Sequence, residues 1–155
     1  MALHELIEIV IRRLWAPDVQ EVIRGMFRQG WTRAQGVRAL QQCQGFGGVP
    51  DEEILFHLQF VLCLTLDVVA LLHDAAGHPT ALRELVEIVL RRLWAPGIQA
   101  VVRGMLWQGW TLADGSRGLR QCQGFEQVPD WAAASNLQFI ICLTLDVAGL
   151  LRDTS

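Results

Sequence analysis

Apolar residues recur at three- and four-residue steps at the start of the chain. Leu3, Leu6, Ile7, Val10, Ile11 and Leu14 share one side of a helical wheel, and Glu8 sits four residues before Arg12 on the outer side. That spacing predicts an amphipathic helix with a single buried stripe. Trp15-Ala16-Pro17 ends it, and Pro17 suits the first position of a second helix, where its missing N–H costs nothing. The second helix carries Val19, Val22, Ile23, Met26 and Phe27 on one face and stops at Gly30, a residue that readily takes a left-handed C-terminal conformation. Thr32 then caps a third, shorter helix through Ala34, Val37, Leu40 and Cys43. QGFGGVP makes a loop, after which Asp51, Glu52 and Glu53 place negative charge at the start of a fourth helix, where the helix dipole favours it. The fourth helix runs to about Asp74 and is apolar almost all round. No strand alternation competes anywhere, so the expected fold class is all-α.

The pattern then starts again. Shifted by 79 residues, positions 3–74 match positions 82–153 at 45 of 72 places. This predicts a tandem duplication, with one helical repeat over 1-74, a linker over 75-80 and a second repeat over 81-155. Two repeats are too few for a solenoid, because each would still expose a face. The expected arrangement is therefore two homologous four-helix units packed as a pseudo-twofold intramolecular dimer, forming one helical bundle.

Composition narrows the function classes. Hydrophobic residues make up 52% of the 155, enough for a sizeable core. Residues 1–79 carry six Arg against nine acids and residues 80–155 seven against seven, so neither half is a basic module and general nucleic-acid binding is not expected. All thirteen basic residues are arginine. Coding bias accounts for that, while a functional reading is that the absence of lysine leaves no side-chain amine for ubiquitin attachment. Cys43, Cys63, Cys122 and Cys142 form no C-x-x-C pair and share no ligand spacing with the histidines, so no metal site is predicted. They read as buried reduced thiols, with a Cys43–Cys63 disulfide as an alternative if the two come within reach. MALHELIEIVIRRLW reads as a folded helix and unlike a secretory signal, which predicts an intracellular, soluble protein.

The fourth helix contains the nearest thing to a chemical signature. LTLDV occurs at 64–68 and again at 143–147, each time inside an apolar run. A membrane span of similar length is disfavoured by His57, Gln59, Thr65 and Asp67, since an aspartate in mid-bilayer costs roughly 2.5 to 3.5 kcal/mol. Gln59, Cys63 and Asp67 are spaced by four, as are Gln138, Cys142 and Asp146. The expectation is that these stripes meet near the pseudo-twofold axis, where a buried carboxylate needs a partner. Arg24 and Arg38, with Arg103 and Arg117 in the second copy, are the candidate partners. On that reading the aspartates are a docking device; on a second reading, Asp67, Asp146, Gln59, Gln138 and His57 line an apolar cavity that binds a small molecule or runs a cofactor-free reaction.

Six tryptophans are present, of which Trp15 and Trp94 match, as do Trp31 and Trp110. Trp107 and Trp131 belong to the second copy alone and stand where the first has Arg28 and Glu52, so they are expected at the surface unless the two copies cover them. Phosphate-binding glycine loops, nucleophile elbows and metalloprotease motifs are all missing. The reading favoured by the sequence is a non-enzymatic adaptor without a cofactor. It binds a protein or peptide through a face bearing Trp107, Trp131, Arg13, Arg28 and Arg33, with tryptophan filling a pocket and arginine pairing to carboxylates. Membrane association through the fourth helices is the weakest expectation.

Overall fold

The structure, a computed structural model, describes residues 2–74 and 81–154. The expected linker, 75-80, lies outside the described residues. Among those residues there are eight α-helices and no strand: α1 (Leu3–Leu14), α2 (Pro17–Arg28), α3 (Arg33–Gln41), α4 (Asp51–Asp74), α5 (Leu82–Leu93), α6 (Pro96–Trp107), α7 (Leu112–Arg120) and α8 (Asp130–Thr154). The all-α helical-bundle expectation is met. Two compact units divide the chain, Met1–Asp74 and Ala75–Ser155.

In the first unit α1 and α3 both lie against α4, and α2 bridges α1 and α3. Ile11, Val22, Ile23, Leu40, Ile54 and Leu58 form the centre of the core. Removing each such side chain from water contributes about 1.5 to 3 kcal/mol. The helix starts follow local chemistry. Pro17 occupies the first turn of α2. Thr32 caps α3 reciprocally: its hydroxyl accepts the Gln35 N–H at 3.2 Å while its own N–H donates to the Gln35 side chain at 2.8 Å. Helix α3 stops at Gln41, two residues before Cys43, because the Cys43 N–H bonds back to Leu40 with the tighter three-residue step that closes a helix.

The QGW segment has a precise tertiary purpose. Gly30 takes φ +65°, which turns the chain back so that the Trp31 N–H donates to the Gly25 carbonyl at 3.2 Å. The Trp31 ring then lies on Gly25, in the space a Cβ there would fill. Gly36 serves close helix approach: a Cβ there would meet Met26 and Leu58.

In the second unit α5 and α7 lie against α8, and α6 contacts both α5 and α7. Leu85, Leu90, Val102, Leu119 and Leu137 are among its fully buried members. Thr111 caps α7 with Asp114 in the reciprocal role, and Trp110 covers Gly104. Ala133 is buried where the first unit has Ile54, so this core is built from smaller side chains at the start of its long helix.

Each long helix has one buried side. On α4, Ile54, Leu58, Val61, Leu64, Thr65, Val68 and Leu72 face inward, while Phe56, Gln59, Phe60, Cys63, Leu66 and Asp67 are exposed. On α8, Leu137, Ile140, Leu143, Thr144 and Val147 are buried, and Gln138, Phe139, Cys142, Leu145 and Asp146 are exposed.

Candidate interaction site

The polar residue of LTLDV that each core holds is the threonine. Thr65 is 0% exposed; its hydroxyl donates to the Val61 carbonyl at 2.8 Å and accepts the Trp15 indole N–H at 2.9 Å. Thr144 does the same between Ile140 and Trp94. Within its own unit each aspartate, Asp67 and Asp146, is exposed on the outer side of its long helix and takes no part in that unit's core. Gln59, Gln138 and His57 are exposed as well, and His57 packs edge-on to Phe46 with ring centres 5.5 Å apart.

Two of the arginines expected to meet those aspartates, Arg24 and Arg103, hold glutamates instead. Arg24 binds Glu8 through both Nε and Nη2, with Nε to Oε2 at 3.0 Å, and also reaches Glu21. Arg103 binds Glu87 in the same way, with Nη2 to Oε1 at 2.9 Å. These two-pronged pairs tie α2 to α1 and α6 to α5. The Arg24 hydrogen bond holds the Glu8 carboxyl below its ordinary range against the opposing effect of burial, and Arg103 does the same for Glu87. Sequence reading missed these pairs, although glutamate sixteen residues before arginine recurs in both halves and was available as a signal.

The five residues expected to form one Trp/Arg face sit on five elements. Arg13 is exposed near the end of α1. Arg28, at the end of α2, contacts Glu8 at 3.1 Å. Trp107, its counterpart in position, is half-buried and so departs from the expected surface exposure. The Arg83 guanidinium lies 4.9 Å from its ring centre, and its indole N–H is buried with no acceptor among the described residues. That distance is a cation–π contact, which places a charged group over the indole face. Trp131, in the first turn of α8, is 76% exposed, the largest apolar side chain on the surface.

Arg33 opens onto a groove of about 530 Å³ between α3 and α4. Arg38 and Gln41 continue the α3 wall, Asp51 and Glu52 form the α4 wall, and Val37 and Leu55 contribute apolar surface. The Gln41 side chain is hydrogen-bonded to Asp51 across it. A second groove of about 420 Å³ runs between α7 and α8, where Arg120 is paired with Asp130.

The cysteines correct another expectation. Cys43 is buried, Cys122 is half-buried, Cys63 and Cys142 are exposed, and all four are free thiols. Burial raises the Cys43 and Cys122 pKa values, which keeps these two as unreactive thiols. Among the described residues no group of three His, Cys, Asp or Glu side chains could hold a metal ion. Helices α4 and α8 are long and apolar enough to cross a membrane by length and composition, with under half of each window buried in the protein, at 44%. No family model, curated protein or solved structure matches this chain.

Proposed function

We propose that this protein is a non-enzymatic interaction module that binds a protein partner through exposed aromatic and arginine side chains. The observation that carries the reading is Trp131, 76% exposed at the start of a long helix. An indole in water is a poor resting state and a strong anchor once a partner pocket covers it. Phe56, exposed at 70% in the first turns of α4, adds a second aromatic group of the same kind. Photo-crosslinking of the full chain in cell extract, followed by mass spectrometry, tests this. Wild-type protein is expected to retain a protein partner that Trp131→Ala reduces about tenfold, with melting temperature unchanged. Equal recovery by both would remove Trp131 from the interface.

We infer further that the two halves are homologous copies paired about an approximate twofold axis. The support is the 45 shared positions and the repetition of Gln, Phe, Cys, Leu and Asp on the exposed side of both long helices. A like face on each half is what isologous pairing needs. Exposed Cys63 and Cys142 report on it directly. With a short bismaleimide at low protein concentration, the expected product is a Cys63–Cys142 link within one chain. Links formed only between chains would overturn the pairing.

The same faces bear on solubility. Asp67 and Asp146 point outward from the long helices, so a bilayer around either helix would have to take up a carboxylate. This supports a protein that works in solution.

A further inference from the structure

We propose that the α3–α4 groove of the first unit is the docking site for an amphipathic helix from another protein, one whose edge facing α3 carries carboxylates. The inference rests on the reading of the protein as an interaction module and assigns a different site on it, with a stated partner chemistry.

The argument comes from comparing two grooves built by corresponding elements. In the second unit the cations are spent: Arg120 pairs with Asp130 across the groove, and Arg117 reaches Asp114 at 3.8 Å. In the first unit Gln41 stands at the place of Arg120 and bonds to Asp51, which occupies that carboxylate without using a cation. Arg33 and Arg38 consequently line the groove with no ion pair among the described residues. The apolar surface differs as well, with Leu112 of the second groove standing at the place of Arg33. Val37 and Leu55 in the first groove stand where the second has Ser116 and Ala134. One groove therefore offers Val37 and Leu55 beside two guanidinium groups that form no ion pair among the described residues, with Asp51 and Glu52 on the opposite wall, while the other is smaller and has both its arginines paired.

That combination matches the helix-in-groove mode of recognition. An apolar stripe seats on Val37 and Leu55, and carboxylates along one edge reach Arg33 and Arg38, whose planar donors suit them. Helix α3 has nine residues, which gives a wall of about 13 Å, or two to three helical turns of ligand. Glu52 on the opposite wall disfavours a ligand acidic on both edges, so the charge pattern also fixes which way the ligand lies.

The test uses the full chain and a fluorescein-labelled amphipathic peptide of about 14 residues, long enough to hold a helix when bound. It carries leucine along its apolar stripe, glutamate on one edge and glutamine on the other. The control peptide has glutamine on both edges. Fluorescence anisotropy is expected to show the acidic-edged peptide binding about tenfold more tightly than the control, a preference that shrinks as salt rises. Arg33→Glu with Arg38→Glu should abolish the preference, whereas Arg117→Ala with Arg120→Ala should leave it intact. All variants should melt as wild type does.

Absence of binding by either peptide, or a preference that survives the Arg33/Arg38 change, overturns the groove assignment. So does loss of the preference in the Arg117/Arg120 variant, which would move the site to the second unit. These outcomes leave the Trp131 crosslinking result standing, so failure of the groove and failure of the interaction-module reading are told apart.

Discussion

Gly25→Ala is expected to destabilise the protein by about 3 kcal/mol, the upper range for adding a methyl group to a full space. The usual sign is the opposite: alanine in place of glycine inside an exposed helix stabilises by about 1 kcal/mol. Here the new methyl would enter the space occupied by the Trp31 ring, which is held on Gly25 by the Gly30 turn and by the bond from the Trp31 N–H to the Gly25 carbonyl. Neither partner can yield cheaply. A helix backbone lies on one side, and on the other is a rigid ring anchored at its own main chain. The decisive measurement is the same substitution in a Trp31→Ala background. With the ring removed, Gly25→Ala should become neutral or stabilising by up to about 1 kcal/mol in urea unfolding. An equal loss in both backgrounds would mean that the ring is not the obstacle. Gly104 and Trp110 repeat the arrangement and should behave alike.

The second large effect concerns the contact between Trp15 and Thr65. Trp15→Ala should cost about 3 to 5 kcal/mol, because it removes a large ring from between α1 and α4. Thr65→Val keeps the volume but leaves the indole N–H without its acceptor, at about 1 to 3 kcal/mol. Asp67→Asn, two residues away and exposed, should stay within about 0.5 kcal/mol of wild type. Trp15→Phe combined with Thr65→Val isolates the hydrogen bond, with an expected coupling of about 1 kcal/mol. A large loss from Asp67→Asn with none from Thr65→Val would return structural importance to the aspartate.

These two contacts mark where the sequence was legible and where it was not. Helices α1 and α2 announce themselves because their apolar residues fall on one stripe. Pro17, Gly30 and Thr32 punctuate the chain by local backbone chemistry that needs no tertiary partner. Helix α4 is different. It is apolar on nearly every side, so periodicity carries little information about which side its neighbours cover, and the polar stripe Gln59, Cys63, Asp67 could be read as an inward seam. Within the first unit, docking of α1 and α3 placed Thr65 inside and left Asp67 outside.

The residues proposed for the interaction divide in the same way. Trp131 stands in place of a glutamate at a helix start, and a charged position predicts exposure whatever side chain occupies it. Trp107 also replaces a charged residue, but Arg83 lies over its ring, from a helix that pairs with its own only after folding. The groove carrying Arg33 and Arg38 was not visible as a unit, because its walls come from helices separated by the whole QGFGGVP loop.

The sequence by itself determined the helices and the local signals that start them, since spacing and capping act within a few residues. Only the tertiary structure decided which side of α4 is core, which carboxylate holds Arg24 and which cations stay unpaired. Those outcomes depend on which side chains from distant helices reach the same place.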